Sequence, residues 1–439
     1  MKQLAVMAVR LTHSILTKVG RGGSLPGQIG LKIDPNILKE ITVDGPVVLV
    51  TGTNGKTTTA NMIADLLNAA GYDTVTNRKG DNLREGIVTA LLSRTSVSGK
   101  LKGTAAVLEV DELNIKYILP ALPVSCLVVT NFFRDQLDRA REMEQLIHSI
   151  ENVLPDFKGT LVLNGDDPNV LRLKDKAPKA KLVTFGMERN PSSTETTSEA
   201  SEGKFCPRCG HPLKYEYYQY SHIGKFHCTS CDYKVAYPAD VELSDVNLEN
   251  HTFKAEGKTF TCPYDGLYSM YNCAAVLACG KALGIPAQTA KTVFSHAPAP
   301  RGRNEKFIDG KRKVILNLVK NPTGANEVMK VIERDPDRKR VVIVLNDREQ
   351  DGRDVSWIYD THFEKFMNEA TSAIWCTGLR SGDMGLRLIY GGWEGPLHIE
   401  EDLHTAIREA MSGEENVYVV ATYTALVPAR NAIMEEVKR

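Results

Sequence analysis

Apolar positions along this chain fall into two alternating rhythms. From residue 46 onward, short unbroken apolar runs alternate with longer stretches in which apolar residues recur every three or four positions. Val47–Thr51, Ala105–Val110, Cys126–Thr130, Leu161–Asn164 and Lys181–Phe185 have the length of strands buried on both faces. Between the first two, Thr57–Ala70 sets Met62, Ile63, Leu66, Leu67 and Ala70 at helical spacing. Such alternation predicts a doubly wound, parallel α/β sheet. The rhythm restarts near Lys311, with strands expected within 313–319, 340–347, 372–378 and 417–423, which makes a second α/β (Rossmann-like) unit. Residues 188–204 are polar and without period, and read as a surface loop. A cysteine-rich insert, a strand-like stretch (248–264) and two helical stretches (268–284 and 286–297) lie between the units.

The first 24 residues carry Lys2, Arg10, Lys18 and Arg21 and no acid. Leu4, Met7, Ala8, Leu11, Ile15 and Val19 share one helical face, expected to pack on the protein's own body or a partner, with a membrane-surface helix as the alternative. Arg10 and His13 interrupt the apolar run, which argues against a secretory signal and for a cytoplasmic protein. No apolar run reaches spanning length.

Composition sharpens this little. In 439 residues, Lys+Arg and Asp+Glu both number 54, so no global basic field recruits nucleic acid.

The candidate chemistry begins at Gly52-Thr53-Asn54-Gly55-Lys56-Thr57-Thr58, between the first strand and its helix. The common phosphate loop needs glycine at position 50, which is Val50. The physics holds nonetheless: a glycine turn opens a helix whose free N–H groups favour an anion. Lys56 can reach outer phosphates, and the Thr57 hydroxyl can ligate magnesium. Cys206, Cys209, Cys228 and Cys231 follow C-x2-C-x18-C-x2-C, the spacing of a four-thiolate zinc ribbon. Four thiolates leave no open position, so the zinc should be structural. The insert's tyrosines (Tyr215, Tyr217, Tyr218, Tyr220) are too weakly accompanied by basic residues to favour nucleic acid. Cys126, Cys262, Cys273, Cys279 and Cys376 have no glycine elbow or adjacent histidine to activate them.

Several segments together resemble the Mur ligase family of peptidoglycan stem-peptide ligases. Residues 51–58 match its loop, and "TNFFRDQLDR", with Thr130, Asn131, Asp135 and Asp138, is similar to its T-N-x-x-x-D-H-L-D element. Gly266 and Asn272 fit its G-x-H-N-x-x-N-A-x-A helix. "GRNE" at 302–305 and "NLVKNPTG" at 317–324 resemble two further elements. The sequence departs from the family at Gln136, where the family has histidine, and in having no lysine between Asp138 and Lys158. Only about fifty residues precede the loop, too few for a nucleotide-gripping substrate domain.

The resemblance implies ATP and Mg2+ as cofactors, with Glu109 and Thr57 on magnesium and Asn272, Arg303 and Asn317 near the nucleotide. It divides the chain into an N-terminal helical segment (1–45), an ATP-binding domain (46–305, zinc ribbon inserted at about 204–235) and a C-terminal domain (306–439). The insert and "LNDREQDGRDVSWIYD" are similar to one branch, the ligase subunits that amidate the D-glutamate α-carboxylate of lipid II at the inner membrane surface. For that branch a heterodimeric glutaminase partner, GatD, is implied, with Asp354 completing the partner's Cys-His pair. An N-cap is the plain alternative for Asp354. Two other functions remain open: an amino-acid-adding ligase of the Mur or folylpolyglutamate type, and a nucleic-acid-binding NTPase.

Overall fold

The computed structural model describes residues 1–18, 23–77, 81–134, 143–199, 202–298 and 302–438. Asp135, Gln136, Asp138, Val19 and Arg21 therefore lie outside the described residues. The chain forms two units, Met1–Phe133 with Met143–Pro263 and Leu267–Ala297, and Arg134–Glu142 with Tyr264–Gly266 and Pro298–Arg439.

The first unit opens with α1 (Lys2–Lys18) and α2 (Ser24–Ile33); α3 (Lys56–Ala69) and α4 (Arg84–Ser93) come later. On α1 the structure inverts the expected packing. Ala5, Val6 and Val9 are buried, whereas Leu4, Met7, Leu11 and Ile15 point to solvent. The buried side is the small one because α2 lies close: a Cβ on Gly30 would meet Val9 Cγ2 at 2.6 Å. Both faces of α1 are apolar, so periodicity alone could not tell which would be covered.

The strands of this unit are β1 (Val47–Thr51), β2 (Thr74–Thr76), β3 (Ala105–Glu109), β4 (Cys126–Val129), β5 (Thr160–Asn164) and β6 (Lys181–Met187). After a separate hairpin, β7 (Leu213–Tyr220) and β8 (Ile223–Cys228), come β9 (Val241–Asn247), β10 (Thr252–Ala255) and β11 (Lys258–Thr261). Nine strands form one sheet in the order β11-β10-β9-β6-β5-β4-β1-β3-β2. It is parallel from β2 to β9 and antiparallel at the β9-β10-β11 edge. β1, β3 and β4 are buried at every position, which is why they read as unbroken apolar runs. From β1 the chain moves toward β2 at one edge, and from β4 it moves the other way to β5. Between the carboxyl ends of β1 and β4 a crevice therefore opens, where such sheets bind ligands.

The second unit has a six-stranded sheet: β12 (Glu305–Asp309), β13 (Arg312–Leu318), β14 (Lys339–Val344), β15 (Thr371–Thr377), β16 (Leu397–Ile399) and β17 (Asn416–Ala421). Its order is β12-β13-β17-β14-β15-β16, parallel except at β12. Separate apolar clusters cover its two faces, Ile343 and Ile374 in one and Val342 and Trp375 in the other, as alternation along parallel strands requires. The periods at 313–319, 340–347, 372–378 and 417–423 located β13, β14, β15 and β17, but missed the two edge strands, β12 and β16.

Candidate functional site

Residues 52–55 turn sharply from β1 into α3, with Gly52 at φ +121° and Gly55 at φ +83°. A side chain at either would collide: a Cβ on Gly52 would meet Thr130 Oγ1 at 2.4 Å, and one on Gly55 would meet Asn272 Oδ1 at 2.3 Å. The loop is held by the segment following β4. The Thr53 N–H donates to the Asn131 carbonyl at 2.8 Å, and the Asn54 N–H donates to Asn131 Oδ1 at 2.9 Å. Thr130 Oγ1 and Asn131 Nδ2 both donate to the Asn54 carbonyl, at 2.8 and 3.1 Å. The Phe133 N–H donates to Thr53 Oγ1 at 3.0 Å. The Thr-Asn pair thus braces the loop, and Asn272 stands at the amino end of α3. Thr57 and Thr58 are half-buried in the first turn of that helix.

Lys56 is 8 % exposed, and its ammonium donates to both carboxylate oxygens of Glu112 at 3.2 Å. Glu112, 6 % exposed, was not among the residues expected at the site. The only hint in the sequence is a third acid after Glu109 and Asp111 just past β3. Glu109 ends β3 opposite Val50 of β1, buried, with Oε1 accepting from Asn82 Nδ2 at 3.0 Å. Asn77 clamps its backbone on both sides, donating to the Glu109 carbonyl and accepting from its N–H. This carboxylate is fixed at a strand's carboxyl end beside the loop, a place suited to a hard cation.

The cysteine insert forms the β7–β8 hairpin with two knuckles at its base. Sγ–Sγ separations are 3.4 Å (Cys209–Cys228), 3.6 Å (Cys209–Cys231) and 3.7 Å (Cys206–Cys231), and all four lie within 4.8 Å. Tetrahedral zinc with Zn–S bonds of about 2.3 Å needs sulfurs about 3.8 Å apart, so the set fits zinc. The N–H groups of Ser230 and Cys231 both point at Cys228 Sγ, at 3.4 Å. Tyr217 and Tyr220 are buried, and Tyr215 stacks on Tyr218, so the tyrosines serve packing.

The hairpin's tip reaches the phosphate-loop brace. His222 is 2 % exposed, lies 3.3 Å from Asp167 and 3.6 Å from Glu202, and packs against the Phe133 ring at 4.7 Å. Burial alone would push its pKa down, but the two carboxylates outweigh that and raise it to about 9. Asp167 also accepts from the Phe132 N–H at 2.9 Å.

In the second unit, Gly302-Arg303-Asn304-Glu305 is a turn with φ +71° at Gly302 and +54° at Asn304. Glu305 accepts from the Gly302 N–H and pairs with Arg430, both at 2.8 Å. Asn317 Oδ1 accepts from the Asn304 N–H at 2.8 Å, so the turn and the β13 asparagine meet. Arg303 is half-buried. The loop after β14 is pinned at two places. Asn346 donates to Thr424 Oγ1 and accepts from the Leu379 N–H, and buried Asp351 accepts from the Thr424 N–H and hydroxyl. Between these pins and the turn Ser356–Asp360, Asp354 is half-exposed, its Oδ1 accepting from the Ser356 N–H at 2.8 Å. That bond holds its carboxyl below the usual range.

The five remaining cysteines are buried. A hydrogen bond with Cys279, together with burial, pushes the Cys126 thiol well up, and burial pushes Cys376 to about 12.

A phosphate loop at the switch point of a doubly wound sheet, followed by a second α/β unit, defines a nucleotide-dependent α/β enzyme. The Mur ligase middle domain model matches residues 50–280, and the MurT ligase C-terminal model matches 318–426. Subunit MurT of lipid II isoglutaminyl synthase (glutamine-hydrolyzing) from Staphylococcus aureus is 35% identical over 97% of this chain and 96% of its own. The subunit of the same name from Streptococcus pneumoniae is 31% identical over 98% and 96%. The chain belongs to the Mur ligase family, in its MurT branch. Solved structures share the fold. A pseudomurein peptide ligase type C from Methanothermus fervidus has TM-score 0.68 at 21% identity, covering 91% of this chain and 81% of that one. MurF from Thermotoga maritima in complex with ADP has TM-score 0.62 at 15% identity, covering 93% and 84%.

Proposed function

We propose that this chain is the ligase subunit of an enzyme that converts the D-glutamate α-carboxylate of lipid II to D-isoglutamine, in peptidoglycan synthesis at the inner face of the membrane. Ammonia comes from glutamine through a glutaminase subunit, GatD, bound to a C-terminal domain spanning 306–439. The observation that carries this reading is the match to the MurT subunits, which leaves almost none of the chain outside it. The buried, unactivated cysteines support placing glutamine hydrolysis on another polypeptide.

A carboxylate is a poor electrophile, and ATP is the means of activating it. The substrate carboxylate attacks the γ-phosphorus, ADP leaves, and ammonia then displaces inorganic phosphate from the acyl phosphate, losing a proton. This chain's share is positioning and charge. The N–H groups of Gly52–Thr58 and the Lys56 ammonium hold the phosphates. Thr57 and Glu109 would hold magnesium, which supplies further charge neutralisation there. Asn272 is assigned to the nucleotide beside the loop. Structural zinc is assigned to Cys206, Cys209, Cys228 and Cys231. Asp354 orients the partner's catalytic histidine.

The test is incubation of the chain with lipid II and ATP, supplying glutamine with and without the glutaminase, or ammonium alone. Amidated lipid II is expected with ammonium alone, and with glutamine only when the partner is present. Consumption of a free amino acid instead of ammonia would identify an amino-acid-adding ligase, and glutamine hydrolysis by this chain alone would refute the division of labour.

A further inference from the structure

We infer that the outward face of α1 is a membrane-docking surface that seats the protein on an anionic lipid bilayer. The helix is packed the wrong way round for one that only covers its own domain. Its small residues, Ala5, Val6 and Val9, are fully buried, while Met1 (78 % exposed), Leu4 (53 %), Met7 (51 %), Leu11 (64 %) and Ile15 (56 %) face out. At 100° per residue these five fall in one arc about 120° wide. Close approach of α2 at Gly30 holds α1 in place, so rotating the large residues inward is not available to it.

Charge decides the occupant. Neither α1 nor α2 contains an acid, and Arg10, Lys18 and Lys32 are exposed. Lys2 is offset by Glu40 at 3.5 Å, and the net balance stays positive. An apolar stripe with acid-free basic flanks matches a surface whose interior is hydrocarbon and whose rim is phosphate. The apolar side chains enter the acyl boundary while Arg10 and Lys18 extend to the headgroups. No described helix is long and apolar enough to cross the membrane, so the contact is interfacial. This deepens the amidation reading, resting on it only in that a lipid-borne substrate gives such a seat a purpose.

The experiment is co-sedimentation of the full chain with phosphatidylglycerol–phosphatidylcholine vesicles free of any lipid-linked substrate. Binding is expected, weaker on phosphatidylcholine alone and at high salt. In the variant Leu11→Gln/Ile15→Gln, altered only at exposed positions, affinity should fall about tenfold or more, with unchanged melting and unchanged turnover of detergent-solubilised substrate. Absence of vesicle binding by the parent chain, or equal binding by the variant, overturns the inference. So does a dimer in gel filtration, or a glutaminase complex, that the variant dissolves. Failure to amidate solubilised lipid II with vesicle binding intact would count against the proposed function and leave the docking surface standing.

Discussion

At the scale of single residues, Lys56 and Asp354 make opposite kinds of test. Lys56 is paired with Glu112 in a nearly solvent-free place, so its removal does two things. Lys56→Met should reduce ATP-dependent amidation by about a thousandfold or more. It should also cost about 3 kcal/mol, because Glu112 is left buried without its partner. In Lys56→Met/Glu112→Gln, denaturant melts should show most of the stability restored while turnover stays lost; a single variant as stable as the parent would mean the pair is not held in solution. Asp354→Asn is a milder change, since the asparagine oxygen can still accept from the Ser356 N–H. Ammonium-driven amidation and complex formation should be nearly unchanged, and glutamine hydrolysis in the complex sharply reduced. Equal loss with both ammonia sources would instead make Asp354 part of the ligase site or the fold. Asp351 is no substitute, being buried and committed to Thr424. The loop glycines, Lys56 and the cysteine spacing were legible in the sequence because their chemistry is local. Glu112 and His222 were not, because each acquires its role only on meeting residues far away in the chain.

Between elements, the instructive contact is the four-cysteine hairpin on the loop brace. The sequence announced the metal set but not where its tip would land. His222 touches Phe133, whose N–H holds Thr53. Cys228→Ser should therefore abolish a stoichiometric zinc, lower the melting temperature and raise the KM for ATP, although none of the four cysteines lies in the phosphate loop. His222 adds a pH signature. Its folded pKa of about 9 lies above the unfolded value, so its stabilising contribution is complete below about pH 6.5 and lost as pH rises through 9. Asp166, which burial pushes up to about 8, loses stability over part of the same window. The difference between the parent and His222→Gln isolates the histidine: the variant's stability should fall less between pH 6.5 and 9. Parallel profiles would show that His222 is neutral when folded.

Taken whole, the molecule separates its tasks. The first unit carries the phosphate loop and the four-cysteine hairpin, and the second carries the 302–305 turn braced by Asn317 and the pinned loop of Asp354. Alternating periods showed both sheets because parallel strands are buried on each side and cannot hide their apolar runs. They did not show the antiparallel β9–β11 edge as part of the first sheet, since half-buried strands broken by charged residues carry little signal. The orientation of α1 was equally hidden, for it follows from how closely α2 approaches.

The Lys56–Glu112 pair has a consequence for turnover. With no nucleotide in place, the loop's cation already has an internal anion, so any entering phosphate must compete with a tethered carboxylate. A magnesium nucleotide, gripped at many points, can win that competition; a lone phosphate ion, gripped at few, is at a disadvantage. Glu112→Gln should therefore be inhibited more strongly by inorganic phosphate than the parent, read as a lower inhibition constant in ATP-dependent turnover.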